Sequence, residues 1–231
     1  MPIRQPKHNV YRYFDLILGL FVAALLISNI SAVKLISFGP IITDGGAILF
    51  PFTYIFGDIL TEVYGYSYAR RAIWTAFMVM LIASVTFLII GWAPAAPEWG
   101  NQDAYIKILG FVPRIAVASL VAFLFGQFIN SFFLAKLKII TKGKSLWTRL
   151  LGSTVVGELF DTTIFAAIAF GGILLGWDMV RFILIGWIFK TTVEAAMLPV
   201  TYRVVSFLKN KEKEDKYDYA TDFSPFRINV E

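Results

Sequence analysis

The chain of 231 residues contains no cysteine and a single histidine. The absence of cysteine excludes a disulfide-stapled fold and thiol chemistry, and one histidine leaves few ways to build a metal site. Charged residues are also scarce, at 16% against about 25% in soluble domains. Hydrophobic residues make up 58% of the chain and the mean hydropathy is +0.69. This composition excludes a disordered chain and indicates a polytopic membrane protein.

Six apolar stretches are each long enough to cross a hydrocarbon core of about 30 Å. They cover residues 14–36, 47–66, 72–92, 112–135, 149–176 and 179–208. The alternating ten-residue pattern of a membrane β-barrel is absent from the sequence. We therefore predict an all-α polytopic membrane protein. Its bundle of six transmembrane helices forms one domain over 1–208, followed by a polar tail over 209–231 that we expect to be mobile apart from its aromatic end.

The basic residues are distributed unevenly among the predicted loops. Sixteen of the 21 Lys and Arg residues precede span one, lie between spans two and three or four and five, or follow span six. By the positive-inside rule, this asymmetry predicts cytoplasmic N- and C-termini. It also explains the net charge of +5 without a nucleic-acid partner, which we do not expect.

Polar and ionisable side chains lie inside the predicted spans, although each charged group near the bilayer centre costs roughly 2.5–3.5 kcal/mol. They form pairs spaced three or four residues apart, so each pair shares one helix face. The pairs are Asp58 with Glu62, Gln127 with Asn130, Glu158 with Asp161, and Lys190 with Glu194. The spacing predicts that four helices turn polar faces toward one another and line a path through the bundle. In span one, Asn29 and Lys34 are five residues apart and diverge.

Structural roles are an open alternative for part of this set. Glu62 precedes two arginines closely, and an ion pair at the cytoplasmic edge would account for it. Lys190 would form a structural ion pair with Asp161 or Glu158. Interhelical hydrogen bonding would account for four further residues: Gln127, Asn130, Ser153 and Thr154.

The excess of acidic over basic groups favours a ligand that offers hydrogen-bond donors. A guanine-like base presents its N1–H and exocyclic amine as two parallel donors to one carboxylate. Tyr54 and nearby aromatic residues offer faces for ring stacking. A proton relay is the competing use of buried carboxylates. The chain has no HExxH or GxSxG motif and its only histidine, His8, lies before span one, so we expect neither an enzyme nor a metal or cofactor.

Four strings in the sequence are similar to the family of YhhQ-type queuosine precursor transporters, also called vitamin uptake transporters. They are FPFTYIFGDILTEVYGYSYARRAIW (50–74), SLVAFLFGQFINSFFLAKLK (119–138), LWTRLLGSTVVGELFDTTIF (146–165) and KEKEDKYDYATDFSPF (211–226). The resemblance implies six spans and import, across the bacterial inner membrane, of 7-deazaguanine bases for tRNA modification. These bases are 7-cyano-7-deazaguanine, its aminomethyl relative or queuine.

Resemblance and polar faces together identify ten candidate substrate-binding residues. They are Asn29, Lys34, Tyr54, Asp58, Gln127, Asn130, Glu158, Asp161, Lys190 and Glu194. Four further positions are candidates for a cytoplasmic gate or a fold element: Glu62, Tyr64, Arg70 and Arg71. The chain departs from the expected family pattern twice. Asn130 stands where we expect Asp and Glu158 where we expect Gln, as if a negative charge had exchanged places between spans four and five.

Other functions stay open on the sequence alone. In one alternative, the transported substrate is another purine or a vitamin. In another, the chain is a substrate-binding component that depends on a partner ATPase. A different class would be an intramembrane enzyme that acts on a lipid through paired carboxylates, and a purely structural membrane protein would bind no ligand. The expected partners are a small-molecule base, the lipid bilayer and, as an open question, further copies of the chain.

Overall fold

A computed structural model describes residues 11–38, 41–110 and 113–226 of the chain. These ranges form seven α-helices: α1 Phe14–Ser31, α2 Phe50–Tyr64, α3 Tyr66–Trp92, α4 Gln102–Leu109, α5 Pro113–Ile140, α6 Leu146–Phe170 and α7 Trp177–Glu212. Five of these helices, all except α2 and α4, are long and apolar enough to cross a membrane. The fold is therefore that of a predominantly helical, polytopic membrane protein, in agreement with the composition.

A short β-hairpin interrupts the helices between α1 and α2. Strand β1, Leu35–Phe38, pairs antiparallel with β2, Ile41–Asp44, and a 3-10 turn over Gly45–Ile48 leads into α2. The predicted helix to residue 36 was therefore wrong, because α1 ends at Ser31. The hydroxyl of Ser28 donates to the Gly46 carbonyl and fixes the hairpin against α1. Isoleucine-rich segments of this length suit strands as well as helices, so hydropathy alone missed the change.

Helix α2 is the central element of the bundle. It has 15 residues, of which twelve are buried, and a length of about 22 Å follows from the rise per residue. Helices α1, α3, α5 and α7 pack around it. These surrounding helices shield α2 from lipid. A short helix with two buried acidic residues, Asp58 and Glu62, is therefore tolerated within the bundle.

A single glycine joins α2 to α3. Gly65 has φ = +86°, a conformation that other residues adopt only with strain. A Cβ atom at this position would also come within 2.7 Å of the Lys216 side chain. Because α3 already begins at Tyr66, Arg70 and Arg71 lie in its first two turns and not in the predicted loop between spans two and three.

Helices α5 and α6 approach each other closely at two glycines. A Cβ atom on Gly157 would lie 2.7 Å from Cβ of Asn130, and one on Gly126 would lie 2.8 Å from Cβ of Asp161. Small residues at such crossings let helix backbones meet in membranes. This contact brings the polar residues of α5 and α6 into the same layer of the bundle.

The C-terminal tail is folded against the bundle. The polar tail was expected from residue 209, but α7 continues to Glu212 and residues 213–226 then turn back along α3. The Asp218 carboxylate accepts the Tyr66 backbone N–H at 3.1 Å, and Arg70 donates to the carbonyls of Asp222 and Ser224 at 2.7 Å. Below, the end of the bundle that carries this segment is called the tail end, and the opposite end the hairpin end.

Candidate functional site

Three polar side chains of α2 mark three levels along the axis of the bundle. Tyr54, Asp58 and Glu62 are spaced four residues apart, so they lie on one helix face about 6 Å from one another. Each is at most 2% exposed. Tyr54 is nearest the hairpin end and Glu62 nearest the tail end, and every level is completed by residues of α5, α6 and α7.

The first level contains an ion pair between α6 and α7. The ammonium group of Lys190 lies 2.6 Å from Asp161 Oδ2 and 3.4 Å from Glu158 Oε2. It also lies 4.1 Å from the centre of the Phe50 ring, a cation–π contact with the start of α2. The Tyr54 hydroxyl reaches the close crossing of α5 and α6 beside Gly126. The structure thus brings together four of the predicted residues here, and the ion pair foreseen as a structural alternative is present.

The second level joins all four helices around Asp58. Asn130 on α5 donates from Nδ2 to Asp58 Oδ1 at 2.7 Å. The carboxyl group of Glu194 on α7 lies within hydrogen-bonding reach of the Asp58 carboxyl, and Thr154 on α6 donates to Glu194 Oε1. Gln127 faces the backbone of α2 at Gly57, where a side chain would collide with its amide.

The third level is a buried ion cluster at the tail end, which we call the Glu62 cluster. Arg149 binds the Glu62 carboxylate with both terminal nitrogens, and Lys209 lies 2.6 Å from Oε1. Lys138 lies 3.6 Å from the same oxygen and bridges to Asp215 at 2.6 Å. Removing one partner of such a buried cluster costs about 3–5 kcal/mol, because a buried charge is left uncompensated. The predicted Arg partner of Glu62 is therefore present, but it comes from α6 and not from Arg70 or Arg71.

Several buried polar atoms in the first two levels have no hydrogen-bond partner among the described residues. They are Tyr54 Oη, Gln127 Oε1 and Nε2, Asn130 Oδ1, Glu158 Oε1 and Oε2, and Glu194 Oε2. A buried polar group without a partner costs about 1–3 kcal/mol, so native proteins pair nearly all of them with protein, water or ligand. The concentration of these atoms between α2, α5, α6 and α7 indicates a place where a polar ligand or water binds.

The remaining predicted residues lie apart from this centre. Asn29 Oδ1 accepts from the Ser119 hydroxyl at 2.9 Å and so joins α1 to α5, whereas Lys34 is exposed after the end of α1. The Tyr64 hydroxyl donates to Glu212, which also accepts two backbone N–H groups at the start of α1. Arg70 holds the C-terminal segment, and the Arg71 side chain is exposed.

Sequence reasoning missed the cations that complete the third level. Thr154 was foreseen as an interhelical hydrogen-bonding residue, and it donates to Glu194 on α7. Lys138, Arg149 and Lys209 were read only as loop charges that set the orientation, because they lie near the predicted span ends. Among the described residues, no group of three or more His, Cys, Asp or Glu side chains is arranged to hold a metal ion.

Comparison with known proteins gives consistent matches to one group of transporters. Residues 44–204 match the model of a family described as "Putative vitamin uptake transporter". A "Probable queuosine precursor transporter" of Bacillus subtilis (strain 168) is 32% identical over 203 residues, which cover 85% of this chain and 87% of that protein. A "Queuosine precursor transporter" of Escherichia coli (strain K12) is 27% identical over 177 residues, covering 75% and 77% of the two chains. No solved structure matches the chain.

Proposed function

Because the chain belongs to the vitamin uptake transporter family, we propose that it imports queuosine precursors and holds a 7-deazaguanine base between α2, α5, α6 and α7. The curated relatives carry the name of queuosine precursor transporters. The observation that carries the proposal for the site is the pair Glu158 and Gln127. Both are fully buried, and neither polar atom of the Gln127 amide has a hydrogen-bond partner within the described residues. Glu158 makes no hydrogen bond there through Oε1, and its Oε2 has the ion-pair contact with Lys190 at 3.4 Å.

The chemistry of these two side chains suits the edge of a guanine-like base. The two oxygens of Glu158 accept the N1–H and the exocyclic amine, a bidentate pair of charge-assisted hydrogen bonds. The Gln127 amide offers one acceptor and two donors, so its Nε2 addresses the ring carbonyl. The Tyr54 ring and hydroxyl complete this side of the base. Lys190 keeps Asp161 neutralised and positions Glu158.

The path through the membrane follows from the three levels. We assign six spans, namely the five long apolar helices and α2. They cross the bacterial inner membrane with both termini in the cytoplasm. The basic residues of the Glu62 cluster and of the tail lie at one end of the bundle, as the positive-inside rule requires of the cytoplasmic side. The Glu62 cluster and the folded tail close this end, so the base enters from the hairpin end and leaves when the cluster opens.

Uptake by cells that depend on an external precursor tests the proposal. The protein is expressed in bacteria that lack their own precursor synthesis, and queuosine in tRNA is measured after 7-cyano-7-deazaguanine is supplied. The Glu158→Gln variant replaces one acceptor oxygen by a donor that faces the donors of the base. We expect it to lower the rate of uptake by about tenfold to a hundredfold, corresponding to the loss of one or two charge-assisted hydrogen bonds.

A matched control separates this effect from a general loss of charge. Glu98→Gln makes the same change at an exposed position in the loop after α3, and it should transport like the unaltered protein. Comparable membrane levels of both variants are confirmed by immunoblotting. Normal uptake by the Glu158→Gln variant would remove Glu158 from the site. Two results with the unaltered protein would contradict the import of these precursors. One is that the cells form no queuosine in tRNA, and the other is that the base is released in a chemically changed form.

A further inference from the structure

Two carboxyl groups face each other across the contact between α2 and α7. Asp58 is 2% exposed and Glu194 is 3% exposed, and their carboxyl groups lie within hydrogen-bonding reach. Two ionised carboxylates have four acceptor oxygens and no hydrogen to share. The contact therefore requires a proton on one of the two groups.

The other neighbours of the pair do not supply that hydrogen. Asn130 donates to Asp58 Oδ1 and Thr154 to Glu194 Oε1. Glu194 Oε2 is buried and has no N–H or O–H donor among the described residues. A proton between the carboxyl groups gives Glu194 Oε2 the hydrogen bond that it lacks.

The charges around the pair also leave it without a cation. Lys190 on α7 binds Asp161 and Glu158 at the neighbouring level. Glu62 on α2 is neutralised by its own cations, and α5 contributes the neutral Asn130. Tyr54 on α2 and Glu158 on α6 face the pair without bringing positive charge. No Lys or Arg of the described ranges forms an ion pair with Asp58 or Glu194, so a proton is what offsets their charge.

We propose that Asp58 and Glu194 form a proton-binding site that couples entry of the substrate to entry of H⁺. The inference depends on the proposed function, because it names the ion that moves together with the imported base. With the proton bound, α2 and α7 are in contact. When it leaves, two carboxylates repel each other in a medium of low dielectric constant and the helices separate.

Proteoliposomes containing the purified protein separate coupling from transport itself. Accumulation of labelled 7-cyano-7-deazaguanine is measured with an acidic outer buffer, with and without a protonophore. A gradient of one pH unit supports at most about tenfold accumulation when one proton enters with each base. Counterflow against unlabelled base loaded inside, without any gradient, reports exchange alone. A pH dye in the lumen reports protons that enter with the substrate.

The Glu194→Gln variant imitates the permanently protonated form of the pair. We expect it to lose gradient-driven accumulation and the substrate-dependent acidification of the lumen, while counterflow persists. Asp58→Asn makes the equivalent change on α2 and provides a second variant should the first fail to fold. Glu98→Gln, at its exposed position, retains both modes of transport.

The outcomes distinguish the two proposals. Robust counterflow in the unaltered protein, with no response to the pH gradient and no proton entry, overturns proton coupling and leaves import standing. Proton entry that survives in both Glu194→Gln and Asp58→Asn overturns the assignment to this pair. Absence of counterflow in both the unaltered protein and the Glu98→Gln variant contradicts the import of this base.

Discussion

At the scale of single residues, Asn130 and Glu158, where we expect the chain to depart from the family pattern, lie near one helix crossing. Gly157, the neighbour of Glu158 on α6, packs with its Cα against Asn130 on α5, where an added Cβ would lie 2.7 Å from Cβ of Asn130. The two residues lie at neighbouring levels of the bundle, Asn130 beside Asp58 and Glu158 beside Lys190. A carboxylate at both positions would place a further negative charge beside Asp58.

We predict that exchanging the two residues restores transport that each single change impairs. Asn130→Asp replaces the amide that donates to Asp58 by a further acceptor, and Glu158→Gln removes the proposed carboxylate for the base. Each single variant should take up about tenfold less 7-cyano-7-deazaguanine. The double variant should recover at least part of the loss, since neighbouring residues in one network couple by about 0.5–3 kcal/mol. Uptake rates of the four proteins, compared at equal membrane levels, measure this coupling.

An additive result would decide against the exchange. If the double variant is impaired by the product of the two single effects, the positions act independently. The carboxylate of α6 would then have a role that α5 cannot supply.

At the scale of the helices and the segments between them, hydropathy predicted the long apolar helices. It missed the segments whose conformation is fixed by packing within the protein. Spans three to six correspond to long apolar helices. The three- and four-residue spacings predicted polar faces that turn toward one another, and Asp58 contacts Asn130 of α5 while Lys190 contacts Asp161 of α6. The hairpin after Ser31, the short helix α4 and the folded tail were missed. These segments are fixed by distant contacts, such as Asp218 with the start of α3, which no local pattern records.

The tail illustrates how such a contact is held. Burial raises the pKa of the Asp215 carboxyl, but hydrogen bonds from Lys138 and Lys209 outweigh it and hold the pKa below its ordinary value. A carboxyl group with a lowered pKa stabilises the folded state above its unfolded pKa of about 3.9, and the contribution is lost as the pH falls through the lower folded value. The attachment is thus complete at pH 7 and in mildly acidic buffer.

We predict that Asp215→Asn loosens the tail at pH 7. Asp215 is 46% exposed, so its ion pairs are worth about 0.2–1 kcal/mol, and transient detachment should rise about two- to fivefold. Limited trypsin digestion of the detergent-solubilised protein measures this as faster cleavage after Lys213 and Lys216. Asp178→Asn, at an exposed position at the hairpin end, is the matched control. Equal cleavage rates in the two variants would show that Asp215 does not hold the segment.

At the scale of the whole molecule, the proposed six spans require α2 to cross the membrane, although it is only 15 residues long. Helix α1 leads to the hairpin end and α3 starts at the tail end, so α2 must connect the two ends. A fully covered helix need not match the hydrocarbon thickness with its own apolar surface, because its neighbours face the lipid.

The absence of cysteine makes this topology directly testable, since any introduced cysteine is unique. We predict that Lys34→Cys, after α1, and Ala96→Cys, after α3, react with a membrane-impermeant maleimide in intact spheroplasts. Lys144→Cys, between α5 and α6, should react only after the membrane is disrupted. All three positions are exposed, so accessibility within the fold does not limit the reaction. If α2 does not cross, Lys34→Cys lies on the same side as Lys144→Cys, and equal reaction of these two positions in intact spheroplasts would contradict six spans.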